Sequence, residues 1–479
     1  MTTTSEHGTG ELRRLLSTRQ IVMLGLGSSI STGLFLGAGT NISVAGPGVI
    51  ISFVAASLIA GAVAAALAEM CSVHPVRGSF GTISARYLGR PAGFAIRWMY
   101  WLAVVSAIGG EVVAAAIYLR YWWPAVPLWL AVVVLSVALA AVNMWNVGMF
   151  GYAESILSAI KVAAVVVFLV IGFLLIVIGL PGRPRTGVVN WTADGGFLPN
   201  GGLAVWLVMA TVIFSFTGVE LIGISSPEAV EPARSMRKAM RSVVLRLTLF
   251  YVGAIAVMVA VLPWRQVGQT HGLEQSPFVT MFAYAGIPAA ASITNAVVLV
   301  AALSAANANL YAAARMLHSL AHDGFAPRAL RATSRAGSPV ACVGVSLAGL
   351  VAAGVLSGYA PDTAFLLLIS LASFAVIAVW IGILVTLIAF RRAGAHETAS
   401  LHLPGGRVSA AIAATALLSI YGTAFAVPEM AMACLVGVPF MVLLVAVYLL
   451  IRNRTVLEQP RAEQHEDHAD GLPGGDRLA

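Results

Sequence analysis

The chain has 479 residues, of which 59% are hydrophobic and 10% charged, with a mean hydropathy of +0.90. Soluble domains carry about 25% charged residues, so the composition excludes a soluble globular protein and points to an all-α polytopic membrane protein. The net charge of +8 reflects how basic residues are distributed between apolar segments, not a nucleic-acid-binding surface.

A membrane-spanning helix needs about 20 apolar residues. Twelve segments qualify, roughly 20–45, 48–70, 93–119, 125–144, 152–180, 202–226, 239–262, 285–316, 338–357, 362–390, 408–427 and 430–451. They follow a polar N-terminal segment, 1–19, that leads straight into the first span with no cleavable signal pattern. After them comes a tail, 455–479, poor in large apolar residues and expected to be disordered. Of the 28 Lys and Arg residues, 23 fall on the side of the N-terminus and four (Arg120, Arg183, Arg185, Arg265) on the other, leaving Lys161. By the positive-inside rule both termini are expected to be cytoplasmic, and the plasma membrane is the expected location. The three cysteines (Cys71, Cys342, Cys434) form no metal spacing, and all nine histidines fall outside the expected spans. No cofactor or metal is expected, and no nucleophile or His–Asp pairing suggests an enzyme.

Span 1 carries "LGLGSSISTGLFLGAG" at 24–39, where glycine and hydroxyl residues crowd the middle of an apolar run. These residues are poor helix formers. Span 6 repeats the feature in "FSFTGVELIG", Phe214–Gly223, with Ser215, Thr217 and Gly218 at its centre. Interrupted helices at matching places in two halves, spans 1–5 (about 20–180) and 6–10 (about 202–390), are the sequence mark of a transporter built on inverted repeats. A half-helix N-terminus offers N–H groups and positive dipole to a carboxylate. A half-helix C-terminus and freed carbonyls suit an ammonium group. Facing breaks of each kind would hold a zwitterion. The alternative is that Gly and Ser here only let helices pack closely.

Span 3 carries Glu111, about 14 residues in, as a cavity-lining, proton-carrying or substrate-pairing group, or as a protonated carboxyl bonded to a neighbouring helix. Span 5 carries Lys161, about nine residues or about 14 Å in, close to the midplane. A charge at that depth is a functional hypothesis by default, with a structural lysine on span 1 carbonyls as the alternative. Glu220 lies just after the span 6 break. Glu154 and Glu69 read as residues at helix ends. Asn307, Asn309, Ser370, Ser373 and Trp380 are candidate cavity residues. Trp98, Tyr100, Trp101 and Tyr121–Trp123 read as interfacial belts.

The stretch Gly27–Gly37 resembles the G-x-x-I-G-T-G-L-F-x-G signature of bacterial amino acid permeases of the amino acid–polyamine–organocation superfamily, in the proton-coupled branch. "AGPGVIISF" (45–53), Glu69-Met70, Phe214–Leu221, Glu228-Ala229, Pro232, Lys238-Ala239 and the segment 288–327 are similar to other parts of that family. The resemblance runs from about Leu15 to Arg392, and more loosely to Arg454. It departs at Ser31, where the family usually has glycine, at Arg237, where many members have proline, and at Glu154-Ser155-Ile156, where the family reads Glu-Phe-Trp.

The resemblance implies a five-plus-five inverted repeat (20–392) with two added spans (393–454). It implies a small-molecule amino acid substrate whose carboxylate meets Ser29, Ser31, Thr32 and Gly33. The amine would meet carbonyls near Phe214, Ser215 and Thr217, with Phe214 as an aromatic gate and Glu111 and Asn307 lining the site. Lys161 would replace a bound sodium ion and, with Glu220, couple transport to protons, the only coupling ion expected. The expected activity is amino acid import by proton symport with alternating access. Exchange of an amino acid or polyamine, and an amino acid sensor with the same fold, stand as alternatives. The lipid bilayer is the expected environment, with neither nucleic acid nor an obligate protein partner.

Overall fold

A computed structural model describes residues 17–145, 150–268, 276–287, 289–334 and 338–456. Most of the N-terminal segment and the tail from residue 457 lie outside the described residues, and with them the expectation of a disordered tail.

The described chain is all helix and loop, with one isolated bridge between Leu180 and Arg183. In order the helices are α1 (Thr18–Ser29), α2 (Thr32–Phe35), α3 (Gly37–Ala45), α4 (Val49–Val73), α5 (Ser79–Leu88), α6 (Arg90–Leu119), α7 (Leu128–Trp145) and α8 (Phe150–Val177). There follow α9 (Gly201–Leu207), α10 (Met209–Ser215), α11 (Glu220–Ile224), α12 (Pro232–Val261), α13 (Trp264–Gly268), α14 (Pro277–Tyr284) and α15 (Ala290–His322). The last are α16 (Val340–Ser346), α17 (Ala348–Tyr359), α18 (Pro361–Arg392), α19 (Gly406–Thr423) and α20 (Pro428–Val456).

Among the described residues nine helical segments are long and apolar enough to cross a membrane, and Leu128–Asn143 is a shorter apolar helix. The nine correspond to expected spans 2, 3, 5 and 7–12, and the shorter helix to span 4. Expected spans 1 and 6 are the segments that break, into α1–α2–α3 and α9–α10–α11. The molecule is a polytopic, all-α membrane protein.

Burial explains the order of packing. Helix α6 is sunk among α15, α18, α5 and α17, and nearly all its residues between Ala103 and Tyr118 are buried. Helix α1 packs on α12 and α8, and α4 on α12. Helix α8 turns one stripe inward: Glu154, Ser158, Lys161, Val165, Phe168, Gly172 and Leu175 are buried, while Ile156, Ile160, Val166, Val170 and Phe173 are exposed. The inward residues recur every three or four positions, the period of one helix face. In water so many exposed branched side chains would be costly; against lipid they are not.

Three ion pairs tie together helix ends expected on one side of the membrane. Glu69 of α4 receives Arg391 of α18 through Nε at 2.7 Å and Nη2 at 2.6 Å, and also accepts from Leu403 N at 2.8 Å. Arg315 of α15 donates to Glu228 at 2.6 and 3.3 Å, and Arg97 of α6 reaches Asp323 at 2.5 Å. Glu69 is thus a structural clamp at a helix end.

Two expectations change. Helix α15 runs on to His322, so His318 and His322 fall within a long apolar helix, because the buried apolar face continues through Met316, Leu317, Leu320 and Ala321 past the expected stop. Tyr100 is not in an interfacial belt: it is 1% exposed and packs edge-on against Phe80 at 5.2 Å. Its place on the inward face of α6, opposite the half-exposed Trp101, accounts for the difference.

Candidate functional site at two broken helices

The capping box of Ser17 and Gln20 starts α1, and the helix stops at Ser29. Ile30 leaves the helical region (φ −73°, ψ 89°), Ser31 is extended, and Thr32 restarts a four-residue turn with the Ser31 hydroxyl accepting from Gly33 N. The second break follows Ser215. Residues Phe216–Val219 form turns, Gly218 has φ +99°, and Glu220 opens α11. Both breaks fall within the stretches that the sequence marks.

The breaks touch. A Cβ on Gly33 would lie 3.0 Å from Ser215 Cα and 3.1 Å from Phe214 Cδ1. Ser28 Oγ donates to Gly218 O at 3.1 Å.

A helix end leaves carbonyls without partners; here the helix's own cap and two other helices supply them. Ile30 N donates to Leu26 O at 3.0 Å, Lys161 Nζ donates to Gly27 O, and Tyr251 OH of α12 donates to Ser29 O at 2.5 Å. At the second break, Glu220 accepts from Gly218 N at 2.7 Å and from the indole N–H of Trp380 on α18.

Among the described residues, Thr32 Oγ1, Ser215 Oγ and Glu111 Oε1 are buried at the junction without a hydrogen bond of good geometry, with Glu111 lying against the Thr32 and Ser31 hydroxyls. The other Glu111 oxygen faces Thr32 N at 3.5 Å, a long contact at the N-terminus of α2. Beside this junction is a narrow cavity with room for about one water molecule. Its walls come from α6 (Tyr100, Ala103, Val104, Ala107), the second break (Phe214, Thr217, Gly218, Glu220), α15 (Asn309) and α18 (Ala372, Val376).

The amino acid permease family model matches residues 20–460 of this chain. The chain belongs to the amino acid permease family. It is 38% identical over 381 residues to a gamma-aminobutyric acid permease of Bacillus subtilis (strain 168), covering 80% of each chain. It is 39% identical over 400 residues to the aromatic amino acid transport protein AroP of Escherichia coli (strain K12), covering 83% of this chain and 86% of that one. AroP of Salmonella typhi is 37% identical over 404 residues, 84% and 87% of the two chains. A permease moves its substrate without chemical change; it is not an enzyme.

The remaining candidates of this permease divide into two groups. Ser31, Thr32, Gly33, Phe214, Ser215, Thr217, Glu111 and Glu220 gather at the junction or in the cavity wall. Ser29 sits at the break, but its hydroxyl turns back to Gly25 O at 2.9 Å. Thr217 Oγ1 likewise returns to Phe214 O at 2.8 Å. Asn307 accepts from Asn143 of α7 at 2.7 Å, a link between helices, and it is Asn309 that faces the cavity. Ser373 bonds within its own helix to Ile369 O.

Lys161 sits behind the first break. Besides Gly27 O it donates to Ser304 Oγ at 2.9 Å; Ser304 Oγ donates to Glu154 Oε1 at 2.6 Å, and Lys161 is 3.8 Å from that oxygen. Glu154, near the start of α8 as expected, is also a buried partner of Lys161, 1% exposed. The spacing Glu154–Ser158–Lys161 (i, i+4, i+7) puts all three on one helix face, a signal present in the sequence. Tyr251 and Ser304 carry no comparable local signal. Gly27 also serves packing, since a side chain there would strike Ser158 Oγ.

Proposed function

We propose that this permease imports an amino acid together with a proton, by alternating access around the junction of the two breaks. The observation that carries the reading is the set of buried polar atoms there without a hydrogen bond of good geometry. Such atoms are costly, and a zwitterion supplies what each lacks. Its carboxylate accepts from the Thr32 and Ser215 hydroxyls and from the N–H groups that open α2. A protonated Glu111 donates to the same carboxylate, and the ammonium group meets the carbonyls that close α10. The substrate side chain enters the cavity between α6 and α18, whose small walls at Ala103, Ala107 and Ala372 suit a neutral apolar group once the cavity widens. Phe214 closes over it.

Proton coupling follows from charge. A substrate carboxylate at α2 meets the carboxylate of Glu111, and two like charges there repel. A proton on Glu111 removes the repulsion, so substrate and proton enter together. Lys161 holds the carbonyl end of the same break, and its hydrogen-bonded path to Glu154 offers a second proton position. That relatives are named as transporters of aromatic amino acids and of gamma-aminobutyric acid supports testing these substrates first.

The test is uptake of labelled phenylalanine, tyrosine, tryptophan and gamma-aminobutyric acid into proteoliposomes, with and without an imposed inward proton gradient. Accumulation above equilibrium only with the gradient is the expected result. Uptake that ignores the gradient and requires internal substrate would instead establish exchange.

A further inference from the structure

Helices α18 and α19 pack side by side, and an open groove lies between the C-terminal end of one and the N-terminal end of the other. Arg392, the last residue of α18, and Arg407, the second of α19, stand at its mouth. Both are exposed, and neither makes an ion pair or hydrogen bond among the described residues. Below them the groove is lined by Ile388 of α18 and by Val408, Ala411 and Ile412 of α19. These α19 residues follow the i, i+3, i+4 spacing of one helix face and are exposed, while Ala410, Ala413, Ala414 and Leu417 turn inward.

The mouth is held in place. Arg391, next to Arg392, is fixed by Glu69 and also donates to Leu403 O at 3.3 Å, just before α19 begins. A side chain at Gly406 would strike the Arg391 guanidinium. Helix α19 has no side-chain cap and no acidic residue in its first turn, so its N-terminal dipole adds to the positive field of the two arginines.

We propose that this groove is a binding site for an anionic phospholipid. The phosphate pairs with Arg392 and Arg407, and one acyl chain lies along Val408, Ala411 and Ile412. Two exposed guanidinium groups without a protein partner among the described residues attract negative charge, and the apolar stripe directly below favours hydrocarbon. Basic pockets between spanning helices are the recurrent form of such sites. The other source of negative charge is the chain's own tail, which carries Glu458, Glu463, Glu466, Asp467, Asp470 and Asp476. From residue 457 on it has only three leucines and no other large apolar residue to fill the stripe, so the lipid fits better.

The test titrates phosphatidylglycerol into the purified full-length protein in neutral detergent and counts retained lipids by native mass spectrometry. Phosphatidylcholine and glycerol 3-phosphate serve as the zwitterionic-lipid and headgroup-only arms. Phosphatidylglycerol should be retained selectively, and Arg392→Ala with Arg407→Ala should weaken it at least about tenfold. Lysine at both positions should restore most of the loss. Ala411→Trp keeps both charges but fills the groove, and should also weaken retention. All these sites are exposed, so monodispersity and Tm should match the parent. Equal retention by the double alanine variant overturns the proposal. Binding of glycerol 3-phosphate as tight as that of the lipid, or binding that appears only after Glu458, Glu463 and Glu466 are changed to Gln, overturns it too, the last by showing that the tail holds the mouth.

Discussion

Ser28 and Gly218, 190 positions apart, meet at the crossing of the two broken helices: the serine hydroxyl donates to the glycine carbonyl at 3.1 Å. Gly218 has φ +99°, and a Cβ on it would stand 2.8 Å from the Ser28 carbonyl carbon. Side chains at positive φ cost about 1–2 kcal/mol, and here the obstruction is backbone, which has no rotamer to yield. Gly218→Ala should lower Tm by several degrees and cut uptake at least about tenfold. Gly422→Ala, in α19 with open space around it, is the control and should leave both unchanged or raise Tm slightly. Scanning fluorimetry and proteoliposome uptake measure the pair.

Lys161 and Ser304 test the coupling path. Removing the ammonium group in Lys161→Ala leaves Gly27 O and Ser304 Oγ without their donor, yet it does not alter the N–H end of the break. Substrate binding, followed by scintillation proximity, should weaken only a few-fold, while accumulation driven by a proton gradient should vanish. Ser304→Ala removes the hydroxyl between Lys161 and Glu154 and should give an intermediate loss. Unchanged accumulation in Lys161→Ala would refute a coupling role for the lysine.

Glu111 makes a separate prediction. Glu111→Gln keeps the shape and can still pair with a hydroxyl, but it cannot exchange a proton. Binding should persist, and the dependence of uptake on external pH should flatten. If the pH profile of the glutamine variant matches the parent, the proton that travels with the substrate is carried elsewhere.

Much of this arrangement is legible in the sequence because glycine and hydroxyl residues in an apolar span are locally anomalous. Both breaks stand out for that reason, and Lys161 and Glu220 stand out as charges in apolar spans. What joins them does not. Tyr251 reaches Ser29 O across 222 residues and Ser304 reaches Glu154 across 150, and neither residue is unusual in its own segment. Asn307 and Asn309 show the limit of local reading. They are two residues apart on one helix and so lie about 200° apart around it; only packing decides which one faces the cavity. Glu154 was within reach of a spacing argument, since two turns bring it under Lys161, but its nearness to the expected end of the span masks it.

The Glu69–Arg391 clamp predicts a stability effect without a transport role. Glu69 is fully buried, and its carboxylate takes both prongs of the guanidinium and Leu403 N. Removing one partner of a buried pair costs about 3–5 kcal/mol because the other is left uncompensated. Glu69→Ala and Arg391→Ala should each lower Tm markedly, and the double variant should lose less than the sum. Arg391→Lys should not rescue, because an ammonium group cannot span both carboxylate oxygens. Uptake per folded molecule should stay near the parent value.

Trp380 and Glu220 give the last prediction. The indole N–H and Gly218 N hold the two oxygens of one buried carboxylate, so α18 is latched to the second break at the cavity wall. Trp380→Phe keeps an aromatic ring but removes the donor and part of the indole, leaving a Glu220 oxygen unpaired at about 1–3 kcal/mol and a small cavity beside it. If the latch must open and reclose as α18 moves against the break, the loss falls on turnover. The maximal rate of uptake should then drop about tenfold, with substrate affinity changed much less. Glu220→Gln keeps one acceptor, for the indole, but sets its NH2 against the Gly218 N–H, so it should lower Tm modestly while losing proton-driven accumulation. A Trp380→Phe variant that loses affinity but keeps its maximal rate would place Trp380 in the substrate pocket rather than in the latch.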